Sequence, residues 1–287
     1  MKQWLPAIFL LISTSSSAPV GKELAASYDS PKCRALIEVT AERMNFTSFC
    51  STWVQQEVYG LKLNGISSYW VRNNKAGSEM LQRGVPIMIQ PPLGAWTSKN
   101  FFKYGDDREK VDPSVYVWAM VRQPWERTVS GYQQIIYQIY GHRPREPKTN
   151  VTDAIKAHLD PTEAFLAFLE AVRDGMSVGR DGFHVFPQAM LIDTIAPRGG
   201  EKKRFDSITK LESASEDLPE ILTTLGATDF DIATPLSNHH HSWEGLANRK
   251  INETDPRIAR IFCKLYEVDF VCFNYKPPPQ CAPILGF

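Results

Sequence analysis

Residues Pro113 to Arg122, "PSVYVWAMVR", form an almost unbroken apolar run that ends in an arginine. A strand with one wet face alternates polar and apolar residues. A run without alternation marks a strand covered on both faces, as in a parallel sheet between helical layers. Pro124 follows, and proline suits the first turn of a helix, where its missing N–H leaves no bond unmade. Beyond it Trp125, Val129, Tyr132, Ile136 and Ile139 recur at three- and four-residue spacing, the stripe of an amphipathic helix. Arg122 thus leaves a buried strand at its carboxyl end, where open α/β sheets bind ligands. Ser130 lies about two helical turns on, with Arg127 on a neighbouring part of the helix surface. A guanidinium fork and a hydroxyl beside a helix start suit a phosphate-like anion. The alternative puts Arg127 in a surface ion pair and leaves Ser130 to ease close packing.

The rest of the chain repeats the alternation. Residues 19–30 read as a loose leader, and 31–60 as one or two helices. "SSYWVR" (67–72) reads as a strand that runs into "NNKAGS" and then a helix, "EMLQRG", closed by Gly84. A proline-rich basic loop (141–152) precedes a helix with Asp160 as N-cap, Pro161 at N1 and Glu163 at N3. Its inner face is Phe165, Phe168, Leu169 and Val172. "FDSITKLE" (205–212) reads as a strand, and "SEDLPEILTTLG" as a helix stopped at Gly226. "DPRIARIFCKLYEVDF" sets Ile258, Ile261, Phe262 and Leu265 on one helical stripe. The proline-rich tail from Lys276 admits neither regular helix nor central strand. These alternations predict one α/β domain, residues 18–287 with a core at about 60–276, around a mostly parallel sheet flanked by helices.

Formal charge is zero, 32 basic residues against 32 acidic, so no global field recruits nucleic acid or an anionic membrane. An anion site must therefore be local. At the amino end Lys2, the apolar stretch Trp4 to Ile12 and the small residues Ser15 to Ala18 read as a secretory signal over 1–17. The rival is a short signal-anchor, the one way in which a membrane enters. Sequons at Asn45, Asn150 and Asn252 agree with export, as do five cysteines: Cys33, Cys50, Cys263, Cys272 and Cys281. Their odd number leaves at least one thiol free or paired between chains, and their connectivity is open.

"KAGS" (75–78) sits in a strand–loop–helix setting whose backbone N–H groups can face a phosphate, with Lys75 as a mobile charge and Ser78 as a hydroxyl. A plain helix-capping turn is the alternative. The order is not G-x-x-x-x-G-K-[ST], and no hydroxyl stands where Mg²⁺ would be held. Together K-x-G-[ST] and the later R-x-P-x-x-R-x-x-S resemble the two nucleotide loops of the sulfotransferases. More narrowly, the chain resembles the Golgi carbohydrate sulfotransferases of the chondroitin 4- and HNK-1 type. The later segments "FHVFPQ" (183–188), "RFDSITKLESASEDLPEIL" (204–222) and "INETDPRIARIFCKLYEVDFVCFNY" (251–275) carry that likeness, the last through Tyr266, Asp269, Phe270, Phe273 and Tyr275. Asn74 stands where those enzymes usually have proline, and "HVFPQ" replaces "HWRPQ".

The resemblance implies a P-loop-like fold, PAPS (3′-phosphoadenosine-5′-phosphosulfate) as donor, a glycan acceptor, anionic or neutral, and a site in the Golgi lumen or outside the cell. It implies that Lys75 stabilises charge on the leaving oxygen. Ala76, Gly77, Ser78 and Glu79 would hold the 5′-phosphate, and Arg122 and Ser130 the 3′-phosphate. His184 is the expected general base, because histidine works near neutral pH and begins the family-like segment. His142, Glu79 and Asp181 are alternatives. No metal is expected: "NHHHSW" (238–243) reads as a solvated loop rather than a zinc site. Arg143, Arg145 and Lys148, with Lys202, Lys203 and Arg204, are either solvated loop residues or guides for an anionic glycan. A P-loop kinase and a non-catalytic nucleotide or glycan binder are the rival functions.

Overall fold

The computed structural model describes residues 20–44, 46, 55–63, 66–73, 76, 81, 101–103, 115–140, 150–175, 182–195, 205–227 and 251–286. Five strands, β1 (Gln55–Leu63), β2 (Ile66–Val71), β3 (Phe101–Lys103), β4 (Tyr116–Val121) and β5 (Ser207–Lys210), form one sheet in the order β3-β1-β2-β4-β5. β2, β4 and β5 run parallel, while β1 joins β2 and β3 joins β1 in antiparallel fashion. The mixed α/β architecture thus has a parallel centre with helices on both faces. The stretch 55–63, expected within a helical region, is strand β1. It pairs with β2 from Val58↔Val71 to Leu63↔Ile66, so its backbone bonds go to the sheet.

Strand β4 explains the apolar run. Val117, Ala119 and Val121 face one side, packed with Val71 and Ile208 and with helices α1 (Val20–Tyr28) and α2 (Pro31–Arg43). Trp118 and Met120 face the other, packed with Trp70 and the helix Ala214–Thr224. Every residue from Val117 to Val121 is buried.

The helical layers follow in chain order. They are α3 (Pro124–Tyr140), α4 (Asn150–Lys156), α5 (Pro161–Arg173), α6 (Gly182–Val185), α7 (Gln188–Ile195), α8 (Ala214–Thr224), α9 (Pro256–Leu265), α10 (Glu267–Cys272) and α11 (Ala282–Leu285). Asp160 caps α5 as expected, its carboxylate accepting from the Thr162 and Glu163 amides at 2.9 Å each. Phe165, Phe168, Leu169 and Val172 are fully buried. Gly226, with φ +86°, ends α8. Ile258, Ile261, Phe262 and Leu265 line the buried stripe of α9, which breaks at Tyr266 before α10 begins.

Two expectations fail at the ends. Residues 20–28 form helix α1 rather than a loose leader. Leu24, Ala25 and Tyr28 are buried in it, and Tyr28 stacks on Phe273 with ring centroids 5.8 Å apart. Gly21 lets the helix press on β5, since a Cβ there would lie 2.1 Å from Ser207 Oγ. Tertiary packing orders this segment, not its own propensity. The tail forms a 3₁₀ turn, Pro279–Cys281, and the single turn α11, tied down by Cys263–Cys281. A second disulfide joins Cys33 of α2 to Cys272 of α10. Cys50 lies outside the described residues, and no described helix is long and apolar enough to cross a membrane.

Candidate anion site at the carboxyl edge of the sheet

Because β2, β4 and β5 are parallel, their carboxyl ends share one edge, with Val71 opposite Ala119 and Val121 opposite Lys210. Chain leaving that edge forms the loop roots Arg72–Asn73, Arg122–Gln123 and Leu211–Ser213. On α3 the buried face holds Arg127, Thr128, Gly131, Tyr132 and Ile135. Glu126 and Ser130 share an adjacent, more open stripe one turn apart. Arg122 reaches that stripe, its guanidinium 3.3 Å from Glu126 Oε2. Arg122 and Ser130 are thus on the same side of the helix start, and Arg122 remains partly open to solvent.

Arg127 is not a surface residue. It is 1% exposed, and its guanidinium donates to the Phe186 carbonyl at 2.7 Å. Burial lowers its pKa to about 10, against the opposing pull of the Asp269 charge. The fully buried Asp269 is pushed up to about 6 by desolvation, with the Ala189 amide, Arg127 and the Gln188 amide pulling the other way. The Asp269 carboxylate accepts from the amides of Gln188 (2.9 Å) and Ala189 (2.8 Å). A carboxylate on α10 therefore caps the amino end of α7, satisfying N–H groups that lack helical partners.

That cap holds Gln188 in place. Its Oε1 accepts from the Arg122 amide and from Asn73 Nδ2, both at 2.8 Å, while its Nε2 donates to the Arg122 carbonyl at 2.6 Å. Asn73 Nδ2 also donates to Met120 O at 3.0 Å. Gln188 is fully buried and Asn73 is 2% exposed, so these bonds have no water to replace them.

The third loop root is built on Glu212. Its carboxylate accepts from the Gln123 amide at 2.7 Å and from the Tyr275 hydroxyl at 2.9 Å. Burial, then Glu212, raises the Tyr275 pKa, so the hydroxyl stays protonated and can donate. Lys210 Nζ donates to Asn274 O at 3.1 Å and sits 4.3 Å from the Tyr275 ring centroid. Burial lowers its pKa, with Glu212 and Asp217 opposing.

Of the residues expected to bind nucleotide, Arg122 leaves this edge and Ser130 lies on α3 one turn beyond Glu126, the partner of Arg122. Ala76 is fully buried and donates its amide to Asn73 O at 3.3 Å. That amide is therefore already paired with Asn73. Lys75, Gly77, Ser78 and Glu79 themselves lie outside the described residues, as do His142, Asp181, the "NHHHSW" segment and both basic clusters. His184, on α6, is half-buried, and its backbone lies against Gly131, next to Ser130 in sequence. A Cβ at Gly131 would come within 2.2 Å of His184 O. Sequence reasoning missed Asn73, Gln188, Glu212 and the buried Arg127–Asp269 pair. Gln188, Glu212 and Asp269 stand inside quoted segments, yet nothing local marks a polar residue as buried.

Among the described residues no group of three or more histidine, cysteine or carboxylate side chains is placed to hold a metal ion. Searches of curated proteins and of solved structures gave no significant match. A sulfotransferase family profile matches residues 48–276, which takes in all five strands and each of the three loop roots. The chain therefore belongs to the sulfotransferase family.

Proposed function

We propose that the protein transfers a sulfuryl group from PAPS to a hydroxyl of a glycan within the secretory pathway. What supports this is Arg122 at the carboxyl edge, its guanidinium on Glu126 one helical turn before Ser130, in a chain of the sulfotransferase family. A forked guanidinium and a hydroxyl match a phosphate monoester. On this reading they take the donor's 3′-phosphate, the group that distinguishes PAPS from ATP. Glu126 then acts as the resident partner that the phosphate displaces, a weak exposed contact that costs little to break.

The chemistry is in-line. The acceptor oxygen attacks sulfur as the bond from sulfur to the bridging phosphate oxygen breaks, releasing 3′,5′-ADP. Lys75 neutralises charge growing on that oxygen, and the Ser78 hydroxyl with amides of Gly77, Ser78 and Glu79 holds the 5′-phosphate. His184 takes the acceptor proton, and Gly131 lets its segment approach α3. The basic clusters at Arg143, Arg145 and Lys148 and at Lys202, Lys203 and Arg204 guide an anionic glycan. Two disulfides support passage through an oxidising compartment.

The test is ligand-dependent thermal stabilisation by 3′,5′-ADP, 5′-AMP and ATP. Binding to the folded state alone adds about 2.7 kcal/mol at a hundred times Kd. Selective stabilisation by 3′,5′-ADP, lost in Arg122→Ala and Ser130→Ala, is expected, as is transfer of labelled sulfate to a glycan. Equal shifts from all three nucleotides refute the donor assignment. Selective binding without transfer to any glycan in a broad panel refutes the catalytic one.

A further inference from the structure

Gln188 starts a helix, but its side chain behaves like a piece of strand. Oε1 and Nε2 bond the N–H and C=O of Arg122, as a neighbouring strand would. The same Oε1 takes Asn73 Nδ2. One carboxamide thus grips the roots of two loops, one continuing to Lys75 and the other carrying Arg122. Its own backbone is fixed by Asp269.

We propose that Gln188 is a positioning residue that sets the spacing between these two loops, so that a ligand with two phosphates at a fixed separation is bound as a unit. The inference rests on the reading of the edge as a site for a 3′,5′-bisphosphate nucleotide. Once one phosphate is held, the second binds intramolecularly, and its advantage depends on how well the two sites match the ligand's span. Loop roots tied to one buried amide keep that match. With the tie cut, each loop still binds a single phosphate, but the two no longer reinforce one another.

This separates positioning from two simpler roles. A residue that touched a phosphate would weaken one monophosphate along with the bisphosphate. A residue that only supported the fold would weaken all ligands together. Gln188 should act on the difference between them.

The experiment is calorimetric titration of the full chain with 3′,5′-ADP, 5′-AMP and 3′-AMP, for wild type, Asn73→Ala and Gln188→Glu. Asn73→Ala removes the side-chain tie but keeps the carbonyl that takes the Ala76 amide. Gln188→Glu keeps the acceptor but sets a carboxylate oxygen against the Arg122 carbonyl. In either variant, affinity for 3′,5′-ADP should fall roughly tenfold or more while both monophosphates stay within about twofold. Equal losses for all three ligands, or no loss, overturn the positioning role and leave the nucleotide reading standing. A wild type that does not prefer the bisphosphate overturns both. Asn73→Ala decides the matter if Gln188→Glu does not fold.

Discussion

Gly131 shows what one missing side chain does at this site. A methyl group there would meet the His184 carbonyl oxygen at 2.2 Å and its carbon at 3.0 Å, and backbone cannot swing aside as a side-chain tip can. Gly131→Ala should therefore push α6 away from α3 and destabilise the fold by about 1–3 kcal/mol, read as a lower urea midpoint. If His184 is the base, kcat falls as well while 3′,5′-ADP affinity holds. An unchanged midpoint would mean that α6 is free to move. Arg122 offers a different test at the same scale. Arg122→Lys keeps the charge but loses the planar fork. On the proposed reading, in which Arg122 takes the 3′-phosphate, the preference for 3′,5′-ADP over 5′-AMP should drop roughly tenfold in competition binding, since a point charge would replace a planar fork. A full preference in the lysine variant would show that charge alone suffices.

Helix α7 is held at its amino end by a carboxylate from α10, and that contact should be visible in the pH dependence of stability. Asp269 has a folded pKa of about 6 against 3.8 for an ordinary aspartate. Below this window both states hold the proton, and above it neither does. Within it the folded chain binds a proton that the unfolded chain has lost, so this group's contribution to stability falls as pH rises and then levels off. Asp269→Asn cannot titrate. The gap in unfolding free energy between wild type and variant should narrow by up to ~3 kcal/mol from pH 4 to pH 7. A gap that widens instead means that Arg127 and the two amides outweigh burial. The elements themselves were legible to different degrees. The β4–α3 unit was plain because its pattern is local: an unbroken apolar run, then a proline and a helical stripe. β1 was missed although Asn64-Gly65, a dipeptide suited to two-residue hairpins, joins it to β2 and was readable. α1 was not readable, since what orders it is contact with Phe205, Ser207 and Phe273 far along the chain. The same holds at the site. The place of Arg122 at the end of β4 follows from the local pattern, whereas Gln188 and Asp269 are placed by partners more than 60 residues away.

At the scale of the whole molecule, the first two described helices are tied to the segment that reaches the carboxyl edge of the sheet. α1 packs on β5, α2 is bonded to α10 through Cys33–Cys272, and the residues just after Cys272 reach the site. Asn274 accepts from Lys210, and Tyr275 holds Glu212, which in turn holds the Gln123 amide beside Arg122. Cys33–Cys272 spans a sequence separation of 239 and Cys263–Cys281 one of 18. In the chain-entropy account the longer loop confines the unfolded chain more, worth about 5 kcal/mol against about 3 kcal/mol for the shorter. The long bridge also lies on the path to Gln123, while the short one ties α9 to the tail. Removing Cys33–Cys272 by paired alanine substitutions should therefore cost more stability than removing Cys263–Cys281. It should also weaken 3′,5′-ADP binding in the fraction that remains folded. Urea unfolding and nucleotide titration of the two double variants check both parts. Equal effects on binding would show that Tyr275 and Glu212 hold their places without the bridge.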